Sequence, residues 1–125
     1  MVTQKKILIA EDEDAVRTAL VQALTAEGFR AVGMPDGQAA IDFALAEHPD
    51  LIVLDWLMPK MHGHDVYVRL RKDSWGNTVP VLILTNYSRD QMIEDALKHP
   101  KTELMVKNET KLLPFVEEIK KRLSA

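Results

Sequence analysis

The segment that most constrains the fold is residues 50–63, which read DLIVLDWLMPKMHG. Within it, residues 51–54 form an unbroken aliphatic run, which predicts a strand buried on both faces of a parallel sheet. Asp55 follows at once, where the chain leaves the sheet at the carboxyl end of that strand. Because open α/β sheets bind their ligands along this edge, we expect Asp55 to lie at the centre of a functional site.

Strands and helices alternate along the rest of the chain. Apolar runs predict strands over residues 6–10, 30–34, 51–54, 79–84 and 103–106. Helical spacing predicts a helix from Val16 to Gly28, a second between Gly37 and His48, then 64–72, 89–98, and a last helix from a Thr110 cap to Leu123. Met92 and Leu112 are expected to face inward from the last two helices. Such alternation, with right-handed crossovers, predicts an α/β fold with one doubly wound, five-stranded parallel sheet in the order 2-1-3-4-5.

Composition limits the kinds of function that this chain can have. Its 125 residues are enough for one domain with a hydrophobic core, so we assign residues 1–125 to a single domain. A net charge of −3 without a long basic block argues against nucleic acid or a membrane surface as a partner. The absence of cysteine excludes disulfides and thiolate chemistry. No apolar run approaches the ~20 residues that span a bilayer, and the N-terminus turns acidic too early for a signal peptide, so we expect a cytoplasmic protein.

Polar residues follow four of the predicted strands and should meet at one edge of the sheet. They are Glu11, Asp12, Asp55, Thr85 and Lys107. Neighbouring carboxylates repel one another unless a cation lies among them, and hard oxygen ligands with room for water suit magnesium. A hydroxyl and an ammonium on the opposite side would neutralise a transferred phosphoryl group, for which aspartate is a known nucleophile. Each residue alone has an ordinary structural explanation; their joint occurrence at strand ends favours a site.

The motifs that carry these residues resemble those of the receiver domain of two-component response regulators. They read ILIAEDED, LIVLDWLMPKMHG, VPVLILTN and ELMVKN, and they occur in the family's order and at its usual spacing. The resemblance covers essentially the whole chain and implies a flavodoxin-like fold of five βα units. It also implies that Asp55 is the phosphoacceptor, which takes a phosphoryl group from the histidine of a kinase.

The resemblance assigns roles to the other residues of the edge. Asp12, Asp55 and the backbone carbonyl of Leu57 would ligate Mg²⁺, and Glu11 would act mainly through metal-bound water. Thr85 would hydrogen-bond a phosphoryl oxygen, and Lys107 would form an ion pair with the phosphoryl group.

Two residues depart from the family pattern on the side of the switch. Leu104 takes the place of an aromatic residue that swings inward when the threonine moves, so we expect the loop 86–88 to carry the change instead. Asn108 takes the place of a proline that normally follows the lysine in a cis peptide. A cis bond to a non-proline residue costs ~2.5–4 kcal/mol, so we expect the Lys107–Asn108 peptide to be trans.

Two further positions are expected to tune the lifetime of the phosphorylated form. They lie two residues after the phosphoacceptor and two residues after the threonine, and here they are Leu57 and Tyr87. An aliphatic side chain cannot orient a water, and a tyrosine ring can shield the phosphorus from one. We therefore expect slow hydrolysis.

Other members of this fold class fit less well. A flavodoxin-type cofactor binder needs hydroxyls and amides in its first loop, and the acids of residues 11–14 would repel its phosphate. A haloacid-dehalogenase-like phosphatase needs a second acid where Leu57 stands. The alternative that stays open is a receiver-like interaction module that is never phosphorylated in the cell.

The expected activity is therefore signalling rather than enzymatic turnover. Self-phosphorylation from a phosphodonor and slow autodephosphorylation would be the only chemistry. The implied partners are a sensor histidine kinase or phosphotransfer protein and a downstream protein that contacts helix 4, strand 5 and helix 5. Whether the protein also forms a homodimer on phosphorylation is left open.

Overall fold

The predicted sheet and its strand order are confirmed. The computed structural model describes residues 4–86, 90–107 and 111–123, and these contain one parallel sheet in the order β2-β1-β3-β4-β5. Its strands are β1 (Lys6–Ala10), β2 (Arg30–Met34), β3 (Leu51–Asp55), β4 (Val81–Thr85) and β5 (Thr102–Val106). The helices are α1 (Asp14–Ala26), α2 (Gly37–Glu47), α3 (Gly63–Lys72), α4 (Gln91–Ala96) and α5 (Leu112–Leu123).

Helices cover both faces of the sheet, so each central strand contributes to two cores. Leu8 of β1 and Ile52 of β3 pack under α2, α3 and α4, together with Ile41, Leu70 and Ile93. The alternate residues of the same strands, Ile7, Ile9 and Val53, face the other side of the sheet. There they pack against α1 and α5, which contribute Leu20, Leu24, Phe115 and Ile119. All five residues of β3 and of β4 are buried, which explains why these strands read as continuous apolar runs.

Turn and cap residues set the helix boundaries. Gly28 has φ +95°, which favours glycine, and its N–H and that of Phe29 donate to the last carbonyls of α1. Asp36 caps α2 by accepting a hydrogen bond from Ala39 N, at 2.8 Å. Asp90 caps α4 in the same way through Ile93 N, at 2.8 Å. The predicted Thr110 cap of α5 lies outside the described residues.

Several predicted details are wrong. The helix predicted over residues 89–98 is shorter: α4 begins at Gln91, directly after its Asp90 cap, and ends at Ala96. The strand predicted from residue 79 begins at Val81, because Pro80 has no N–H for the ladder. Met92 and Leu112 were predicted to face inward, but they are 52% and 45% exposed. Both lie in the first turn of their helices, which begin at the carboxyl edge beyond the strand ends, where little of the sheet remains to cover them.

Pro114 lies in the first turn of α5, where a missing backbone N–H costs no helical hydrogen bond. Within the described part of the chain, every helix is too short or too polar to cross a membrane.

Candidate phosphoacceptor site

The carboxyl edge of the sheet brings three predicted acids together. Ala10, the last residue of β1, pairs with Leu54 of β3, so the residues that follow each strand emerge side by side. Glu11, Asp12 and Asp55 each offer one carboxylate oxygen, and these oxygens all lie within 4.8 Å of one another. The grouping predicted from the strand ends is therefore present.

Burial divides these acids into unlike environments. Glu11 is fully buried and Asp55 is 5% exposed, whereas Asp12 faces solvent. Burial, the charge of Glu11 and the hydrogen bond with Asp12 together raise the pKa of Asp55 to about 8, against the opposing effect of Lys107. Burial also opposes ionisation of Asp12, but hydrogen bonds from Asp55 and Glu11 outweigh it, so the pKa of Asp12 is lowered. Of these two acids, Asp55 is therefore the one that ionises less readily when no cation is bound.

Lys107 lies among the acids rather than on the opposite side of the site. Its Nζ is 2.5 Å from Glu11 Oε1, 3.2 Å from Glu13 Oε1 and 3.5 Å from Asp55 Oδ2. Burial lowers the pKa of Lys107, but its close contact with Glu11 and the charges of Asp55 and Glu11 outweigh this effect and keep the pKa above its usual range. The ammonium therefore stays charged and is shared by three carboxylates.

Thr85 is placed by the same β-ladder as the lysine. It is the last residue of β4 and is 1% exposed. Its carbonyl accepts a hydrogen bond from Lys107 N, at 2.8 Å. Thr85 and Lys107 are therefore hydrogen-bonded neighbours at the carboxyl edge of the sheet.

The loop between β3 and α3 supports Asp55. Leu57 N donates to Asp55 Oδ1 at 3.4 Å, and the Leu57 side chain is 44% exposed beside the site. Gly63 closes the loop: its N–H donates to Trp56 O at 3.0 Å, and a Cβ added there would lie 2.3 Å from Asp55 O. The predicted role of the Leu57 carbonyl as a metal ligand stays a prediction. Tyr87, its predicted partner in rate tuning, lies outside the described residues.

Leu104 and Asn108 were the two expected departures from the usual switch. Leu104 is half-buried and packs against the core beneath α2, α3 and α4. Asn108 lies outside the described residues, so the expectation of a trans Lys107–Asn108 peptide stays a prediction. That the loop 86–88 carries the switch in place of position 104 therefore stays a prediction.

The residues present fit a divalent cation. Glu11, Asp12, Asp55 and nearby Glu13 face one ammonium, so the cluster carries excess negative charge when ionised. Buried Glu11 Oε1 has an ionic contact with Lys107 but no hydrogen bond of acceptable geometry. Oxygen donors, a solvent-exposed member and room for water are the conditions that Mg²⁺ requires.

Comparison with known proteins identifies the family. The sequence profile of the response regulator receiver domain matches residues 7–114. The chain belongs to the response regulator receiver domain family. A probable transcriptional regulator, ycf27, of Galdieria sulphuraria is 40% identical over 82 residues, which are 66% of this chain and 31% of that protein. The transcriptional regulatory protein PdtaR of Mycobacterium tuberculosis is 32% identical over 116 residues, 90% of this chain and 55% of that protein.

Solved receiver domains share the fold. The receiver domain of a sensor histidine kinase from Pseudomonas aeruginosa PAO1, which has a magnesium ion coordinated in its active site cleft, superposes with a TM-score of 0.84. It is 21% identical, and the match covers 98% of this chain and all of that one, so this likeness shows the fold alone. This receiver domain spans only about a third to a half of the curated relatives named above.

Two contacts of the receiver site could not be read from the sequence. Glu13 joins the group around Lys107, although 94 positions separate the two residues. Arg17 of α1 supports the acidic loop by donating to the carbonyls of Glu11, at 2.9 Å, and Asp12, at 3.5 Å. Its aliphatic stem lies over Gly33, where a Cβ would come within 2.8 Å of Arg17 Cγ. Acids and a basic residue at helical spacing are ordinary on exposed helices, so no sequence signal distinguished either contact.

Proposed function

We propose that this receiver domain takes a phosphoryl group onto Asp55 from the phosphohistidine of a sensor kinase or phosphotransfer protein. The observation that carries the proposal is the environment of Asp55. It is a buried carboxylate at a strand end, contacted by two further acids and by a charged lysine. Such a combination is costly for stability, and perturbed carboxylates of this kind concentrate at functional sites.

The transfer exchanges one bond for another. A carboxylate oxygen of Asp55 attacks phosphorus, an O–P bond forms, and the N–P bond to the donor histidine breaks. The electron pair of that bond returns to the histidine nitrogen, which then takes up a proton. Leu57 N–H holds one oxygen of Asp55 and so limits the orientation of the nucleophile.

Asp12, Asp55 and the Leu57 carbonyl would hold Mg²⁺, with Glu11 acting through water. When bound, the ion supplies positive charge to the carboxylates and to the phosphoryl oxygens. That charge would favour the ionised form of Asp55, in which a carboxylate oxygen can act as the nucleophile. The chain's own contribution is to collect the acids, keep Asp55 in place and exclude bulk water from it.

Lys107 and Thr85 would act on the product. The ammonium would move from the carboxylates toward the phosphoryl oxygens, and the Thr85 hydroxyl would donate to one of them. Because Lys107 N–H donates a hydrogen bond to Thr85 O, the movement of Lys107 would also shift β5 and the loop after β4. A downstream protein would then recognise the surface of α4, β5 and α5.

The cell biology that follows is also a proposal. The chain would act in the cytoplasm without enzymatic turnover of its own beyond self-phosphorylation and slow hydrolysis. Leu104, which stands in place of an aromatic residue, favours one alternative, an interaction module that signals without phosphorylation. A phosphorylation assay distinguishes the two functions.

The test is incubation of the purified chain with acetyl phosphate, followed by intact-mass measurement. We expect one phosphoryl group to be added in the presence of Mg²⁺ and none when EDTA is present. Asp55→Asn should abolish the addition. Asp50→Asn is the matched control, because Asp50 is a carboxylate at the opposite end of β3, where it accepts from Lys6 N. Unchanged labelling of Asp55→Asn, or no labelling of the wild type, would contradict the proposal.

A further inference from the structure

Glu13 occupies a helix cap position without acting as a cap. It is the N-cap residue of α1 and has extended backbone angles, but its side chain accepts no hydrogen bond from the helix. Asp36 and Asp90 hold the same position in α2 and α4, and both accept from a backbone N–H three residues on. Capping of this kind typically contributes ~1 kcal/mol, so its absence at α1 leaves the Glu13 carboxylate available for another contact.

That contact is the ammonium of Lys107. Glu13 Oε1 lies 3.2 Å from Lys107 Nζ and is closer to it than Asp55 Oδ2, at 3.5 Å. The Glu13 side chain is 58% exposed, so it approaches the ammonium from the solvent side, whereas Glu11 approaches from the interior. In the resting protein, two acids from the segment between β1 and α1, Glu11 and Glu13, therefore hold Lys107 more closely than the proposed phosphoacceptor does.

We propose that Glu13 is a positioning residue that retains Lys107 in the resting state and competes with the phosphoryl group for it. This inference rests on the proposed function of Asp55. The lysine must move toward Asp55 to pair with a phosphoryl oxygen, and the Glu13 pair must break when it does. Glu13 thus sets how readily the protein reaches its phosphorylated form, in addition to the residues that bind the metal and the phosphoryl group.

The size of the effect follows from the exposure of the pair. Solvent-exposed ion pairs contribute little, and breaking one corresponds to about a two- to five-fold change in an equilibrium constant. Glu13→Gln keeps the length of the side chain but removes its charge. It should therefore favour binding of an anionic phosphoryl mimic by about two- to five-fold.

The experiment is a titration of the Mg²⁺-saturated protein with beryllofluoride, followed by tryptophan fluorescence. Trp56 follows Asp55 directly and its side chain lies in the adjoining hydrophobic core, so its fluorescence reports changes next to the site. We expect Glu13→Gln to lower the Kd for beryllofluoride about two- to five-fold. Asp14→Asn is the matched control. It removes one negative charge from the neighbouring residue, whose carboxylate pairs with Arg17 and not with Lys107.

A second variant separates the pair from general charge. Glu13→Asp keeps the charge but is shorter by one methylene, and it can cap α1 as Asp36 caps α2. We expect it to bind beryllofluoride more tightly than the wild type, as Glu13→Gln does. Equal Kd values for Glu13→Gln and Asp14→Asn, or a wild-type Kd for Glu13→Asp, would overturn the role of Glu13 while leaving the proposed function intact. A wild type that does not respond to beryllofluoride with Mg²⁺ would overturn both.

Discussion

The carboxylate cluster makes a definite prediction about stability in the absence of metal. In the folded protein the pKa of Asp55 is raised from 3.8 to about 8. A raised pKa means that the folded state binds a proton more tightly than the unfolded state. The contribution of Asp55 to stability is therefore fully present below about pH 4 and is lost as the pH rises through about 8. The wild type without metal should lose stability over this window.

The magnitude follows from the two pKa values. From these values, the free energy of unfolding at pH 7 is lower than at low pH by about 4 kcal/mol. The loss arises because Asp55 in the folded protein must either ionise in a buried site or stay protonated well above its ordinary pKa. Asp55→Asn removes the titrating group and keeps an oxygen for the Leu57 N–H. Burying the amide still costs desolvation free energy, so we expect Asp55→Asn to recover about half of the lost stability, or about 2 kcal/mol.

The assay is urea unfolding in EDTA at pH 5 and at pH 8. The wild type should lose roughly 2–4 kcal/mol between these values, and Asp55→Asn should lose much less. Every other ionisable group is common to both proteins, so the difference between the two profiles isolates Asp55. Asp50→Asn, at the exposed end of β3, should retain the wild-type profile. Parallel profiles for the wild type and Asp55→Asn would refute the reasoning.

Three further predictions concern the loaded site. Saturating Mg²⁺ should raise the Tm of the wild type by mass action, because the ion binds only the folded state, and it should raise the Tm of Asp12→Ala far less. Equal shifts in Tm would count against a shared metal site. The double variant Leu57→Asn and Tyr87→Glu should lose its phosphoryl group about ten-fold faster, equivalent to ~1.4 kcal/mol of barrier. A wild type that loses its phosphoryl group within seconds would contradict this prediction. Amide chemical shifts on beryllofluoride addition should change most over residues 85–88, whereas a maximum at Leu104 with that loop unchanged would show that the switch lies elsewhere.

The fold could be predicted because its central strands leave no ambiguity. A strand covered by helices on both faces must be apolar at every position, and residues 51–54 and 81–84 satisfy this without exception. The acids at the strand ends then follow from topology, since parallel strands share one carboxyl edge. The errors fall where local and tertiary signals compete. Met92 fits a helical apolar stripe, but the stripe does not reveal that the first turn of α4 projects beyond the sheet.

The composition of the site was predictable, but the partners of its lysine were not. The sequence placed Lys107 at the right edge and indicated its charge. It could not show that Glu11 and Glu13 hold the ammonium more closely than Asp55, because distances of a few tenths of an ångström depend on side-chain packing. The raised pKa of Asp55 likewise depends on burial and neighbouring charge, which only the folded arrangement supplies.

The central claim is that Asp55 itself carries the phosphoryl group. Borohydride reduces an aspartyl phosphate to homoserine, so reduction of the phosphorylated protein followed by peptide sequencing by mass spectrometry reports the modified residue directly. We expect homoserine at position 55, only after treatment with acetyl phosphate and Mg²⁺. Reduction product at Asp12 or at Glu11, or none at position 55 in protein shown to carry a phosphoryl group, would contradict the account.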